Sequence, residues 1–166
     1  MKRSALAGAL VVLSVLAAAP ARASGSWTWP VTGAVIRGFD PPGSPFGAGH
    51  RGIDIAAAAG TLVRAPAPGV VTFAGNVGGR LFVTIDHGGG LLSTCSFLSA
   101  ILVHKGDLVI QGQGIALSGI GHVGDVIPNV HLGVRLNGAY VDPRVYLAAV
   151  SVADLIRLAP IAAFTG

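Results

Sequence analysis

The chain has 166 residues, of which 52% are hydrophobic and 11% charged, a composition that suits one globular domain and excludes a disordered tail. Its formal charge is +4, but Lys2, Arg3 and Arg22 lie in an N-terminal stretch that reads as removable, and without them eight basic side chains face seven acidic ones. A balance this close to neutral lacks the multi-phosphate footprint of a nucleic-acid binder.

Residues Met1 to Ala23 carry Lys2-Arg3, an apolar run from Ala5 to Ala19, and a small-residue site at Ala21-Arg22-Ala23. This is the pattern of a secretory signal peptide, and a run of about 15 residues falls short of the ~20 needed to span a bilayer. Export places the protein outside the cytoplasm, secreted or in the cell envelope. There the lone Cys95 has no internal disulfide partner, so the fold must rest on its core.

Residues 24–49 form a lead-in rich in Gly, Pro and Ser, read as turns and extended loop. Beyond Gly52, short Val/Ile/Leu/Thr/Phe runs alternate with glycine-containing breaks: Val70 to Ala74, Leu81 to Asp86, Leu91 to Leu98, Asp107 to Ile110, Ile115 to Ser118 and Val130 to Leu136. The pattern predicts an all-β fold, a small barrel or sandwich, in one domain over residues 50–148. In the tail, 149–166, Ser151 is a plausible N-cap with Asp154 three residues on, which predicts a short helix.

All seven acidic residues are aspartates, and a chain with no glutamate has neither the H-E-x-x-H zinc motif nor a glutamate-based glycosidase pair. No glycine-rich phosphate loop precedes Lys105, the only lysine after Lys2, which argues against nucleotide hydrolysis. Chemistry therefore falls to Asp and His. His50 and Asp54, four apart in His-Arg-Gly-Ile-Asp at a loop-to-strand junction, face the same side and suit one divalent metal. In Asn129-Val130-His131-Leu132-Gly133-Val134-Arg135, alternation turns Val130, Leu132 and Val134 to the core and His131 to the opposite face as a third ligand. Three protein ligands with one open position are the arrangement of a catalytic zinc.

His50-Arg51-Gly52-Ile53-Asp54, Gly60-Thr61-Leu62-Val63-Arg64-Ala65, Gly69-Val70-Val71, Asp86-His87-Gly88, Gly106-Asp107, Gly112-Gln113 and the closing Asn137-Gly138 with Val141-Asp142-Pro143 resemble the LytM/lysostaphin-type zinc metallopeptidases in order and spacing. The resemblance implies a β-rich groove fold, a zinc ion held by His50, Asp54 and His131, and hydrolysis of cross-link peptides in bacterial peptidoglycan. It also implies two further histidines beside the metal, and this chain departs from the family at both. Asn129 opens the pair whose second member is His131, and Phe97, in Cys95-Ser96-Phe97-Leu98, stands in the other place.

Asn129 retains an amide for an oxyanion, whereas Phe97 can neither donate a hydrogen bond nor carry a proton. His122, in Gly121-His122-Val123-Gly124-Asp125, is the candidate substitute, with Asp125 as its companion; Arg51 and Arg135 are candidates for stem-peptide carboxylates. Two functions compete. One is an exported zinc peptidase with an altered mechanism. The other is a zinc-stabilised pseudoenzyme that binds peptidoglycan or regulates a partner cell-wall hydrolase.

Overall fold

The computed structural model describes residues 26–44, 47–122 and 124–148. The expected signal segment and the helix expected after Ser151 lie outside them. Ten strands follow in chain order: β1 (Val35–Arg37), β2 (Ile53–Ala56), β3 (Leu62–Arg64), β4 (Gly69–Val77), β5 (Arg80–Asp86), β6 (Leu91–Ile101), β7 (Leu108–Val109), β8 (Gly114–Ser118), β9 (Asn129–Leu136) and β10 (Ala139–Val141). The only helical turn among the described residues is the 3-10 turn Pro143–Val145, whose cap is the Asp142 carboxylate.

The strands form one antiparallel sheet in the order β1-β2-β9-β6-β5-β4-β7, with β10 added to β9, β8 to β6 and β3 to β8. Among the described residues the sheet does not close: β1 pairs only with β2, and β7 only with β4. Among the described residues no helix is long and apolar enough to cross a membrane.

The core follows from the alternation seen in the sequence. Val130, Leu132 and Val134 of β9 are fully buried, as are Ile53 and Ile55 of β2. The ladder places Ile53 opposite Leu132 and Ile55 opposite Val130. Each such buried aliphatic contributes about 1.5–3 kcal/mol relative to leaving it exposed. Since side chains alternate along a strand, the same register sets Asp54 directly opposite His131 on the other face of the sheet.

The turn joining β9 to β10, Asn137-Gly138, has both residues at positive φ (50° and 85°). That is the geometry a two-residue hairpin needs to match the twist of its strands. The lead-in is more ordered than an extended loop. It contributes β1, and Trp27, 4% exposed, stacks on Tyr146 with ring centroids 5.0 Å apart. The Trp29 indole N–H donates to the Ala148 carbonyl at 2.8 Å.

Candidate metal centre

The β2–β9 register brings together a carboxylate and an imidazole that lie 77 positions apart in the chain, with His131 Nδ1 2.7 Å from Asp54 Oδ1. His50 enters from the preceding loop, held by a reciprocal backbone pairing with Asp40. Its Nε2 lies 3.0 Å from Asp54 Oδ1 and 3.0 Å from His131 Nδ1. The other nitrogen of His50, Nδ1, is 2.7 Å from the Gly38 carbonyl. An acceptor there places the proton on Nδ1 and leaves Nε2 with a free lone pair facing the cluster, the usual outer partner of a metal-ligating histidine.

His122 completes the group. Its Nε2 is 3.3 Å from Asp54 Oδ2, at ion-pair distance but without hydrogen-bond alignment, and this buried nitrogen has no hydrogen-bond partner. One ligand atom from each of His50, Asp54, His122 and His131 lies within 4.8 Å of the other three. Three imidazole nitrogens and one carboxylate oxygen are a donor set suited to zinc. Burial raises the Asp54 pKa, but the His131 hydrogen bond and the His131, His50 and His122 charges outweigh it and hold the carboxyl below its usual range. Burial also holds His131 below the ordinary imidazole value against the opposing pull of Asp54, which favours the neutral ring that a metal requires.

Of the residues at the two departures from the family pattern, Phe97 faces this cluster and Asn129 is turned to the loop beside it. Phe97, at φ 61°, places its ring 4.0 Å from the His122 ring, and the Arg80 guanidinium lies 5.2 Å from the centre of the Phe97 ring. Asn129 is fully buried, and its amide NH2 donates to Asp125 Oδ2 at 2.7 Å and to the Ile127 carbonyl at 2.9 Å. Both of its donors are therefore directed into the loop that carries His122. Cys95, beside Leu132 in the ladder, is 1% exposed, and burial pushes its thiol up to about 12.

A groove of about 590 Å³ opens over the cluster, lined by His122, His131, Phe97, Phe73 and Phe82, with Arg51, Arg80, Arg135 and Tyr140 among its walls. The Arg51 and Arg135 guanidinium carbons lie 6.0 and 5.6 Å from the Tyr140 ring centre. Tyr140 is the residue that sequence reasoning missed. Its signal is the Asn137-Gly138 turn, whose register sets Tyr140 opposite Arg135. His104 lies outside this cluster and is exposed.

The profile described as Peptidase family M23 matches residues 48–143, from just before His50 to just after Val141 and Asp142. The chain belongs to peptidase family M23. This M23 chain is 35% identical to outer membrane antigenic lipoprotein B of Haemophilus influenzae over 78% of its own length and 31% of that protein. It is 36% identical to murein hydrolase activator NlpD of Escherichia coli over 74% of its length and 31% of the activator. It thus spans about a third of these relatives. Among solved M23 structures, a zinc-containing peptidase from Vibrio cholerae superposes with a TM-score of 0.62 at 28% identity, covering 72% of this chain and 39% of that one. The antimicrobial peptidase lysostaphin from Staphylococcus simulans superposes with a TM-score of 0.62 at 27% identity, covering 74% and 53%.

Proposed function

We propose that this M23 domain holds zinc through His50, Asp54 and His131, binds peptidoglycan peptides in the groove above it without cleaving them efficiently, and regulates a cell-wall hydrolase. The observation that carries this reading is the pair Phe97 and Asn129. Phe97 presents a hydrocarbon ring to the cluster, and the Asn129 amide is spent on Asp125 and Ile127. Zinc held with a position left open would supply a polarised carbonyl and an acidified water. Neither residue can take up a proton beside it. Loss of a proton-transfer group costs on the order of 10²–10⁴-fold in rate, and loss of an oxyanion donor about 10²–10³-fold. The two do not simply multiply, because residues acting as a unit are non-additive.

The likeness to a murein hydrolase activator supports a regulatory role, and the likeness to an outer membrane antigenic lipoprotein supports an envelope location. Arg51 and Arg135, beside Tyr140 on the groove wall, suit the carboxylates of stem peptides. A second reading, slow hydrolysis with His122 as the proton carrier, is favoured by the position of His122 Nε2 beside Asp54.

The deciding experiment follows muropeptide release from purified peptidoglycan by mass spectrometry, with zinc-loaded chain, chelated chain and the Phe97→His/Asn129→His variant in parallel. The expected result is that the native chain co-sediments with peptidoglycan and releases no more than the chelated sample. Chelation-sensitive release by the native chain would establish the hydrolase reading instead. Failure to co-sediment would remove the binding role.

A further inference from the structure

We propose that His122 is a fourth protein ligand of the metal, and that Phe97 and Asn129 are positioning residues that hold it there. The inference rests on the zinc-holding part of the reading above and not on the loss of cleavage. It makes the centre a closed one, with every tetrahedral position taken by the chain, which is the arrangement of a structural rather than a catalytic zinc.

Geometry gives the first support. Donor atoms ~2.0–2.1 Å from a tetrahedral zinc are separated from one another by about 3.3–3.4 Å. Here His50 Nε2, Asp54 Oδ1 and His131 Nδ1 lie 2.7, 3.0 and 3.0 Å from one another, His122 Nε2 lies 3.3 Å from the second Asp54 oxygen, Oδ2, and the ligand atoms of all four residues fall within 4.8 Å of one another, a cage that closes on a metal with a small shift of the His122 ring. His122 Nε2 is also buried with no hydrogen bond. A buried nitrogen without a partner is left desolvated and unpaired, and a metal bond removes that penalty.

The backbone around His122 gives the second. The Asp125 carboxylate accepts the His122 backbone N–H at 2.7 Å, and the Asp125 N–H returns to the His122 carbonyl at 3.1 Å. The same Asp125 oxygen accepts the Asn129 amide at 2.7 Å, so the turn is fastened to β9. Asn129 makes this bond and the one to Ile127 with two N–H groups of one side chain, whereas a neutral imidazole has a single N–H. A histidine at position 129 would lose one of the two anchors. Gly121, at φ 89°, completes the fit, because a Cβ there would fall 2.9 Å from Asp125 Oδ2 and 2.8 Å from Asn129 Cγ.

On the other side, the Phe97 ring packs on the His122 ring, and the Phe97 carbonyl accepts the Gly119 N–H at 2.7 Å, gripping the start of the loop. Both departures from the family pattern therefore act on one residue. Phe97 supplies a wall for the His122 ring, and Asn129 fixes the turn that presents it.

The test counts ligands directly. X-ray absorption on the zinc-loaded full chain should show three imidazoles and one carboxylate; two imidazoles with an added water oxygen would overturn the inference. In the cobalt-substituted chain the visible spectrum should not respond to acetohydroxamate, because no position is open. His122→Ala should make it respond, and Asn129→Ala should lower zinc affinity by ~10–100-fold, the usual effect of losing an outer-shell partner. His122→Cys should close the site again and add a sulfur-to-cobalt charge-transfer band, which a merely structural role for residue 122 would not produce. A hydroxamate response in the native chain, or no metal binding by it, would overturn the inference. Absorption on the native chain decides even if a variant fails to fold. Muropeptide release from a chain whose cobalt spectrum stays closed would sink the non-catalytic reading alone. A responsive spectrum without release would sink this inference alone.

Discussion

Gly52 shows how tightly the cluster is built. A Cβ at this position would lie 2.6 Å from His131 Nε2 and collide with the Leu132 carbonyl, so the backbone of the His50–Asp54 segment can pass beneath the imidazole only as glycine. Gly52→Ala should push the His131 ring off Asp54, lower zinc affinity at least about tenfold, and cost the ~1–3 kcal/mol typical of overpacking. Gly133→Ala is the control: its Cβ would sit 3.6 Å from the same nitrogen and 3.3 Å from the Arg51 carbonyl. A chromophoric chelator in competition checks both, and equal affinities for the two variants would refute the argument. At this scale the His50 to Asp54 spacing and the alternation around His131 were legible in the sequence. The commitment of both Asn129 N–H donors was not, because it depends on Asp125 and Ile127 folding back over β9.

Among the elements, the hairpin of β5 and β6 carries a histidine outside the cluster, in a different state. The His87 Nδ1 proton is donated to the Pro68 carbonyl at 2.8 Å, and Nε2 accepts the Ser93 hydroxyl at 2.8 Å. The ring also packs against Trp27 at 4.6 Å between centroids. Burial holds its pKa below the ordinary value against the Pro68 hydrogen bond and the Asp86 charge. Since the unfolded chain takes up this proton first, the contribution of neutral His87 to stability is fully present above the ordinary imidazole pKa of about 6.5 and is lost as the pH falls through it. The melting-temperature advantage of the native chain over His87→Gln should therefore narrow between pH 7.5 and pH 5; a constant or widening gap would contradict this.

The strands themselves were mostly readable from their alternation, and their ends were less so. β4 runs past Ala74 because Gly75 and Asn76, which read as breakers, stay in register with Phe82 and Leu81. β6 continues to Ile101 because beyond Leu98 it pairs with β8. Strands β1, β3 and β10 are three residues each, too short to show a period.

Across the whole molecule, the cluster ties together parts of the chain that are far apart in sequence. His50 and His131 are separated by 81 positions, in a chain whose single cysteine excludes an internal disulfide. A permanent cross-link closing a loop of that length stabilises by roughly 4–5 kcal/mol through the entropy of the unfolded chain. A metal bridging the same residues acts on the same term for as long as it is bound. Chelation should lower the melting temperature by on the order of 10 °C, and added zinc should restore it. An unchanged melting curve after chelation would show that the core and the open sheet carry the stability alone. The fold class was legible as a whole because alternation recurs along nearly every strand. The convergence of the four side chains was only partly so, because His122 is placed by a loop and not by a ladder.

The turn that presents His122 occurs twice. At His104 and Asp107 the same bonds recur: the His104 N–H donates to Asp107 Oδ2 at 2.8 Å, the Asp107 N–H returns to the His104 carbonyl at 3.1 Å, and Gly106 takes a positive φ of 98° where Gly124 takes 92°. The histidine is incidental to this backbone, which the aspartate and the glycine shape. If His122 is the fourth ligand, as proposed, a change in one codon opens or closes that corner while the aspartate and the glycine keep the turn, so the passage between an open and a closed centre lies within reach of ordinary mutational drift.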